Sequence, residues 1–424
     1  MKIPVVPKNS MASVSSGGEL SRLNILVLTS TYPRWADDPE PGFVHELCKR
    51  LSLEHRVVVL CPHATGALNT EVLDGVEVVR YRYAPEKWEV LVNNGGIVNN
   101  LRRKPLMSLL LPGFVFFQLW AAMRLARRCR IHVIHAHWLI PQGLIASLIS
   151  HLLSRKIPFA VTSHGADLYA LRGRLMNFLK RFVARRANAV TVVSSVMKAD
   201  MTRIDVESVK VSVQPMGVDF GNRFTPDLEV RRSTDEILFV GRLVEKKGLT
   251  YLLDALPKIH AVRPSVHLKI AGFGPEEAPL REQVRRMQLT KFVDFLGPIS
   301  QADLPTLYRR AAVFVAPFVR AENGDTEGLG LVVAEAIGCH CPVVVGNVPA
   351  IKDIISDDGG EAINPRDIDA LANAVVAVLE DPKLAHDSVV EARLRLNQKL
   401  SWSAVGDGYS KLLKRISIQP SSVD

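Results

Sequence analysis

The chain has 424 residues, 47% of them hydrophobic and 23% charged. That balance excludes a disordered or collagen-like chain and leaves room for two or three domains, each with a full core. Five scattered cysteines, at 48, 61, 129, 339 and 341, make no disulfide framework in a chain this long, and such usage is expected in a reducing cytosol.

The net charge of +10 is unevenly spread. Residues 1–222 hold 28 Lys+Arg against 16 Asp+Glu, and the remainder hold 25 against 27. Between 101 and 186 there are 15 basic residues and one acid, Asp167. Such a one-sign region attracts anionic lipid, nucleic acid or an acidic substrate. Nucleic acid is not the expected partner, because the basic residues flank long apolar segments and no known binding module is present.

In chain order, "MKIPVVPKNSMASVSSGGEL" lacks the continuous apolar core of a signal peptide. It reads as a loose tail over 1–20, with Met11 a second candidate start. "LNILVLTS" (23–30) then gives a strand, a loop and the helical pattern "FVHELCKRLS", the first unit of a nucleotide-binding type of sheet. Further strands are expected at 56–62, 76–83, 131–138, 158–165 and 188–195. The intervening helical stretches predict a mostly parallel sheet.

The segment 106–123, "LMSLLLPGFVFFQLWAAM", carries no charge over eighteen residues. By length it borders on a membrane span, but Pro112-Gly113 at its centre is expected to break a simple helix. Basic residues on both sides leave open an interfacial helix gripping anionic headgroups, or an ordinary packed helix.

A second strand series follows "VQPMGVDFGNRFTP", at 236–243, 266–274, 293–297, 313–318 and 342–347. The Pro and Gly cluster near 215–230 reads as a linker. "SWSAVGDGYSKLLKRI" (401–416) reads as a final amphipathic helix. The expected fold is therefore α/β, with two Rossmann-like domains in tandem.

Four stretches carry candidate chemistry. "FVGRLVEKKG" puts Gly241 and Arg242 at a strand end and Lys247 before a helix, cations suited to a diphosphate. "ENGDTEGLGLVVAEA" sets Gly328 and Gly330 at a helix start, where free N–H groups bind anions. Glu327 and Glu335 stand eight residues apart in that stretch, placed to accept hydroxyls from opposite ends of one ligand. "AGFGPE" lacks the last glycine of a dinucleotide fingerprint, which disfavours a nicotinamide enzyme. "HAHW" and "TSHGADLY" follow strands of the first domain, so His135, His137 and His164 face its carboxyl edge, as sugar-orienting groups or as metal ligands. "GCHCP" (338–342) lacks the second ligand pair of a zinc site and reads as a packed turn.

The order "SHGAD", "MGVD", "GRLVEKKG", "AGFGPE", "EGLGLVVAEA" and "PVVVGNVPAI" resembles the retaining glycosyltransferases of family 4, over about 23–416. The resemblance implies a GT-B fold with an interdomain cleft. It implies an acceptor domain over 21–222, a donor domain over 223–400, and a last helix and tail over 401–424 returning to the first domain. A nucleotide-diphosphate sugar, UDP- or GDP-linked, would be the donor, with no cofactor and no metal required. Arg242 and Lys247 would neutralise the diphosphate, assisted by Gly241 and by the amides of Gly328, Leu329 and Gly330. Glu327 would hold donor-sugar hydroxyls, Glu335 the ribose, and backbone around Phe295 and Gly297 the base. His164 would lie at the reaction centre, and Gly42 would let its loop approach the diphosphate or acceptor.

The charge asymmetry adds an expected acceptor: a lipid-linked glycan at the cytosolic face of an anionic membrane. A soluble acceptor, or a nucleotide-sugar-binding protein without turnover, is the alternative. The "RAENGD" insert before Glu327 has no counterpart in that pattern.

Overall fold

The computed structural model describes residues 22–418 apart from 37, 39–41, 93–95, 208–209 and 356–360, so the expected tail over 1–20 lies outside the described residues. The chain divides into two compact units. One runs to Val193 and adds Met197–Gln214 and the segment from Val405 onward; the other takes Ser194–Val196 and Pro215–Ala404.

The first unit is built on β1 (Asn24–Leu28), β2 (Arg56–Pro62), β3 (Thr70–Leu73), β4 (Val76–Tyr81), β5 (Val133–His137), β6 (Phe159–Ser163), β7 (Ala189–Val192) and β8 (Val211–Val213). Their order in the sheet is β3-β4-β2-β1-β5-β6-β7-β8, parallel throughout except for the edge strand β3. Apolar runs such as "ILVL" and "VVVL" have both faces covered, as parallel strands flanked by helices require. The chain order reverses at β1, which pairs with both β2 and β5. Loops diverge there at the carboxyl edge and leave space for ligands.

Helix Leu111–Arg128 packs on this unit and begins just before Pro112. The expected break at Pro112-Gly113 does not occur. Proline sits in the first turn, where its missing N–H costs nothing. A 3₁₀ stretch, Pro105–Leu110, precedes it.

The last helix, Trp402–Ile418, belongs to the first unit from Val405 onward. Ser410 Oγ shares a 2.9 Å hydrogen bond with His55 Nε2, and Lys414 pairs with Glu54 at 3.0 Å. Tyr409 is fully buried and donates to Gln214 O at 3.0 Å.

The second unit contains β9 (Glu236–Val240), β10 (His267–Ala271), β11 (Val293–Gly297), β12 (Val313–Ala316), β13 (Val343–Gly346) and β14 (Glu361–Ile363). They form an all-parallel sheet ordered β11-β10-β9-β12-β13-β14. Leu252, Leu256, Leu268, Ile270, Val313 and Val375 are fully buried in its core. Here the reversal falls at β9, between β10 and β12, so the loops after β9 and β12 part at one point. These are the two stretches that carry the candidate diphosphate chemistry.

Candidate active site

After β9 the chain makes a tight turn, Glu245–Lys247, and enters helix Leu249–Val262 through Gly248. Gly248 has φ +68°, and a Cβ there would lie 1.8 Å from the Pro317 carbonyl oxygen. Glycine lets the β9 loop and the β12 loop touch backbone to backbone.

The contact sets the next pairing. Lys247 Nζ donates to Glu327 Oε2 at 2.9 Å and stands 4.5 Å from the Phe318 ring centroid. Both side chains are largely buried, 11% and 15% exposed. Burial favours the neutral carboxyl, but the charges of Lys247, Lys246 and Arg242 outweigh it and hold Glu327 down to about 2. Burial also pulls the Lys247 ammonium below its ordinary value, against the pull of Glu327. Arg242 is exposed in the same loop.

The insert "RAENGD" fits the same frame. Lys246 Nζ reaches Asp325 Oδ1 at 3.2 Å and Thr326 O at 3.1 Å, and Glu245 Oε1 accepts from Glu322 N at 2.7 Å. Ala321 N bonds to Asp325 O at 2.9 Å and closes the loop on itself. The extra polar residues thus clamp the β12 loop to the β9 loop and present Glu327 to Lys247. The adjacent lysines of "EKKG" and the acids of "ENGDTEG" were a readable signal of this clamp, since both loops leave neighbouring strands.

Helix Leu331–Gly338 starts later than the sequence suggests, with Gly330 as its N-cap at φ +87°. Among the described residues no side chain caps the first turn, and Val333 N bonds back to Gly330 O at 2.9 Å, which leaves the N–H groups ahead of it to meet an anion. Glu327 is in the loop ahead of this helix, and Glu335 is little more than one turn inside it. Burial pushes the Glu335 carboxyl up to about 7, and the Tyr308 hydroxyl, 3.2 Å from Oε2, offsets part of that rise. Tyr308 carried no signal in the sequence spacing. Phe295 and Gly297 lie at the end of β11, two strands away from β9; Gly297 adopts φ +73° and its carbonyl accepts from Gly272 N at 2.8 Å.

In the first unit His164 follows β6. His164 Nε2 lies 2.9 Å from His137 Nδ1, with the two rings stacked at 5.1 Å. Phe43 and Trp138 flank it at 4.9 and 5.1 Å. Gly42 caps the helix that begins at Phe43, so these two expected positions come together. Gly42 has φ −89°, and a Cβ there would meet no atom within 4 Å, so the position is open rather than sterically required. Burial lowers His164 and His135 to about 3 and His137 well below its ordinary value. All three imidazoles are neutral at pH 7.

His137 Nε2 is buried without a partner. An unpaired lone pair there is less costly than an unpaired N–H, so the His137 proton sits on Nδ1 and is donated to His164 Nε2. His164 then carries its own proton on Nδ1. His135 points elsewhere, to Thr162 Oγ1 at 2.7 Å.

Among the described residues no group of three or more His, Cys, Asp or Glu is placed to hold a metal. Cys339 and Cys341 are buried, and burial pushes their thiols up to about 12 and about 11.

Two α/β units built on mainly parallel sheets, each with polar groups at the carboxyl edge, have the GT-B architecture. Residues 43–221 match the family model Glycosyltransferase Family 4, and 224–395 match Glycosyl transferases group 1. Together the two matches span both units, so the chain carries both glycosyltransferase modules.

It is 27% identical to a glycogen synthase of Mycobacterium tuberculosis, over 90% of this chain and 92% of that one. It is 28% identical to a GDP-mannose-dependent alpha-(1-6)-phosphatidylinositol monomannoside mannosyltransferase of Mycolicibacterium smegmatis, over 69% and 79%. Among solved structures, sucrose-phosphate synthase from Thermosynechococcus elongatus superposes with TM-score 0.76 at 21% identity, over 93% of this chain and 98% of that one. Anabaena HepE in complex with UDP-glucose gives 0.71 at 17%, over 93% and 100%.

Proposed function

We propose that the protein is a retaining hexosyltransferase that takes a sugar from a UDP- or GDP-linked donor. The observation that carries this reading is the buried Lys247–Glu327 pair beside Arg242 and the open helix start at Gly330. The cations and the N–H groups of Gly328, Leu329 and Gly330 meet the diphosphate, with Gly241 giving it close approach. They stabilise the charge that grows on it as the glycosidic bond breaks. Glu327 holds donor-sugar hydroxyls, Glu335 the ribose, and the backbone near Phe295 and Gly297 the base. His164, with Gly42 at the adjoining helix start, serves the reaction centre from the acceptor domain, 21–222. The donor domain is 223–400, and 401–424 returns to the first. The acceptor hydroxyl attacks on the face the leaving group departs from, giving its proton to a diphosphate oxygen. No cofactor or metal is required beyond the donor.

The acceptor in this reading is a lipid-linked glycan at the cytosolic face of an anionic membrane, in cell-surface polysaccharide or glycolipid synthesis. The one acid among sixteen charged residues between 101 and 186 supports it, as does the likeness to phosphatidylinositol mannosyltransferases. The likeness to a glycogen synthase favours a second reading, a soluble acceptor.

The test is a panel of UDP- and GDP-sugars given to the purified protein with polyprenyl-pyrophosphate glycans, phosphatidylinositol or soluble saccharides. Donor-dependent product on a lipid carrier supports the first reading. Product only on soluble saccharide supports the second, and no turnover of any donor contradicts both.

A further inference from the structure

Helix Leu111–Arg128 commits one face to the core, through Phe114, Gln118, Ala122, Leu125 and Ala126. Gly113 allows tight contact, since a Cβ there would stand 2.8 Å from the Tyr83 carbonyl oxygen. Gln118 Nε2 also donates to Thr29 O at 3.4 Å. The stretch Pro105–Arg128 is long and apolar enough to cross a membrane, with an 18-residue window of mean hydropathy 1.8. A face packed in this way holds it to the surface of the first unit instead.

Among the described residues the outward face has no such partner. Phe116, Phe117 and Trp120 are 61%, 40% and 47% exposed, and Leu106 and Leu109 in the preceding turn are 82% and 78% exposed. A contiguous apolar strip marks a contact surface rather than ordinary scatter.

Directly behind it the helix ends in arginines. Trp120, Met123, Arg124, Arg127 and Arg128 line an open groove of about 210 Å³. The Arg124 guanidinium stands 5.6 Å from the Trp120 ring, and its Nε is buried with no hydrogen-bond partner. Among the described residues no ion pair involves Arg124, Arg127 or Arg128. The guanidinium fork of an arginine suits a phosphate.

We propose that Pro105–Arg128 docks the first unit on an anionic phospholipid bilayer. The aromatic and leucine side chains enter the acyl boundary. Arg124, Arg127 and Arg128 take the lipid phosphates. An apolar band followed by cations with an interfacial tryptophan between them is the layering of a bilayer surface, which a protein partner does not demand. The inference rests on the membrane-face reading above and assigns that role to one element.

The test is sedimentation of the full chain with phosphatidylcholine vesicles, with and without phosphatidylglycerol. The wild type should bind only the anionic vesicles, and salt should release it. Arg127→Glu with Arg128→Glu should lower partitioning by about twentyfold or more, at about fivefold per arginine lost. Phe116→Ser with Trp120→Ser should lower it as well and abolish the blue shift of tryptophan emission on binding. Unchanged melting and nucleotide binding show that these variants fold. If the wild type binds and both variants bind equally well, the docking face is wrong while the membrane reading stands. If the wild type binds no vesicle, both fall, and donor turnover in solution still judges the transferase.

Discussion

Lys247 Nζ lies 2.9 Å from Glu327 Oε2, and one residue earlier Lys246 Nζ lies 3.2 Å from Asp325 Oδ1. Two adjacent lysines thus tie the loop after β9 to the loop after β12. Removing one member of the inner pair leaves its partner charged and buried, at a cost of about 3–5 kcal/mol. Lys247→Ala should therefore lower both melting temperature and donor turnover, the latter by about 100-fold or more. Lys247→Met with Glu327→Leu should recover stability but not activity. Thermal melts beside donor consumption separate the effects, and recovery of turnover in the double variant would count against the assignment.

Glu335 predicts a pH dependence. Its carboxyl rises from 4.5 to about 7 on folding, so the folded chain holds a proton that the unfolded chain releases. Stability from this group is greatest below pH 4.5, falls between 4.5 and about 7, and levels off above. The ionised form accepts ribose hydroxyls better, so nucleotide affinity should rise from pH 6 to 8. Glu335→Gln should flatten both trends in pH-dependent melts and calorimetric titrations of UDP and GDP; an unchanged slope would remove Glu335 from the ribose.

The His137–His164 pair predicts the opposite kind of profile. With His164 at about 3, turnover should show no inflection from histidine ionisation between pH 5 and 8. Because the unfolded imidazole takes up a proton near 6.5 and the folded one does not, stability from this group is lost as pH falls from 6.5 towards 3. Nitrogen-15 spectra should show His164 protonated on Nδ1. His137→Phe should disturb that tautomer, and an unaltered His164 signal would refute the pairing.

Gly248→Ala forces a Cβ to within 1.8 Å of the Pro317 carbonyl oxygen at a positive φ. A destabilisation of about 2 kcal/mol or more is expected, with loss of nucleotide binding as the two loops separate. Denaturant unfolding checks the first part, and full stability with normal binding would show that the loops do not depend on this contact.

Much of the fold was legible because long β-branched runs alternate with helical periods. β3, β8 and β14 escaped notice, being only three or four residues long. The Pro112-Gly113 pair misled because a proline that breaks a helix interior suits a first turn, and only the tertiary contact with Tyr83 explains the glycine. Within the donor set, strand-end position and charge pointed to Lys247 and Glu327. They did not show that the two bond each other, nor that Tyr308, from a separate helix, holds Glu335. The first follows from β9 and β12 lying side by side, the second from the helices before and after β12 packing together, and spacing along the chain encodes neither.

The most direct test of the central claim is a single-product assay: wild type and Lys247→Ala with each UDP- and GDP-sugar and a lipid-linked acceptor, the product's anomeric configuration read by proton NMR. Transfer from one donor with the donor's α or β configuration kept is expected, with loss of that product in Lys247→Ala. An inverted product, or undiminished transfer by Lys247→Ala, would contradict it.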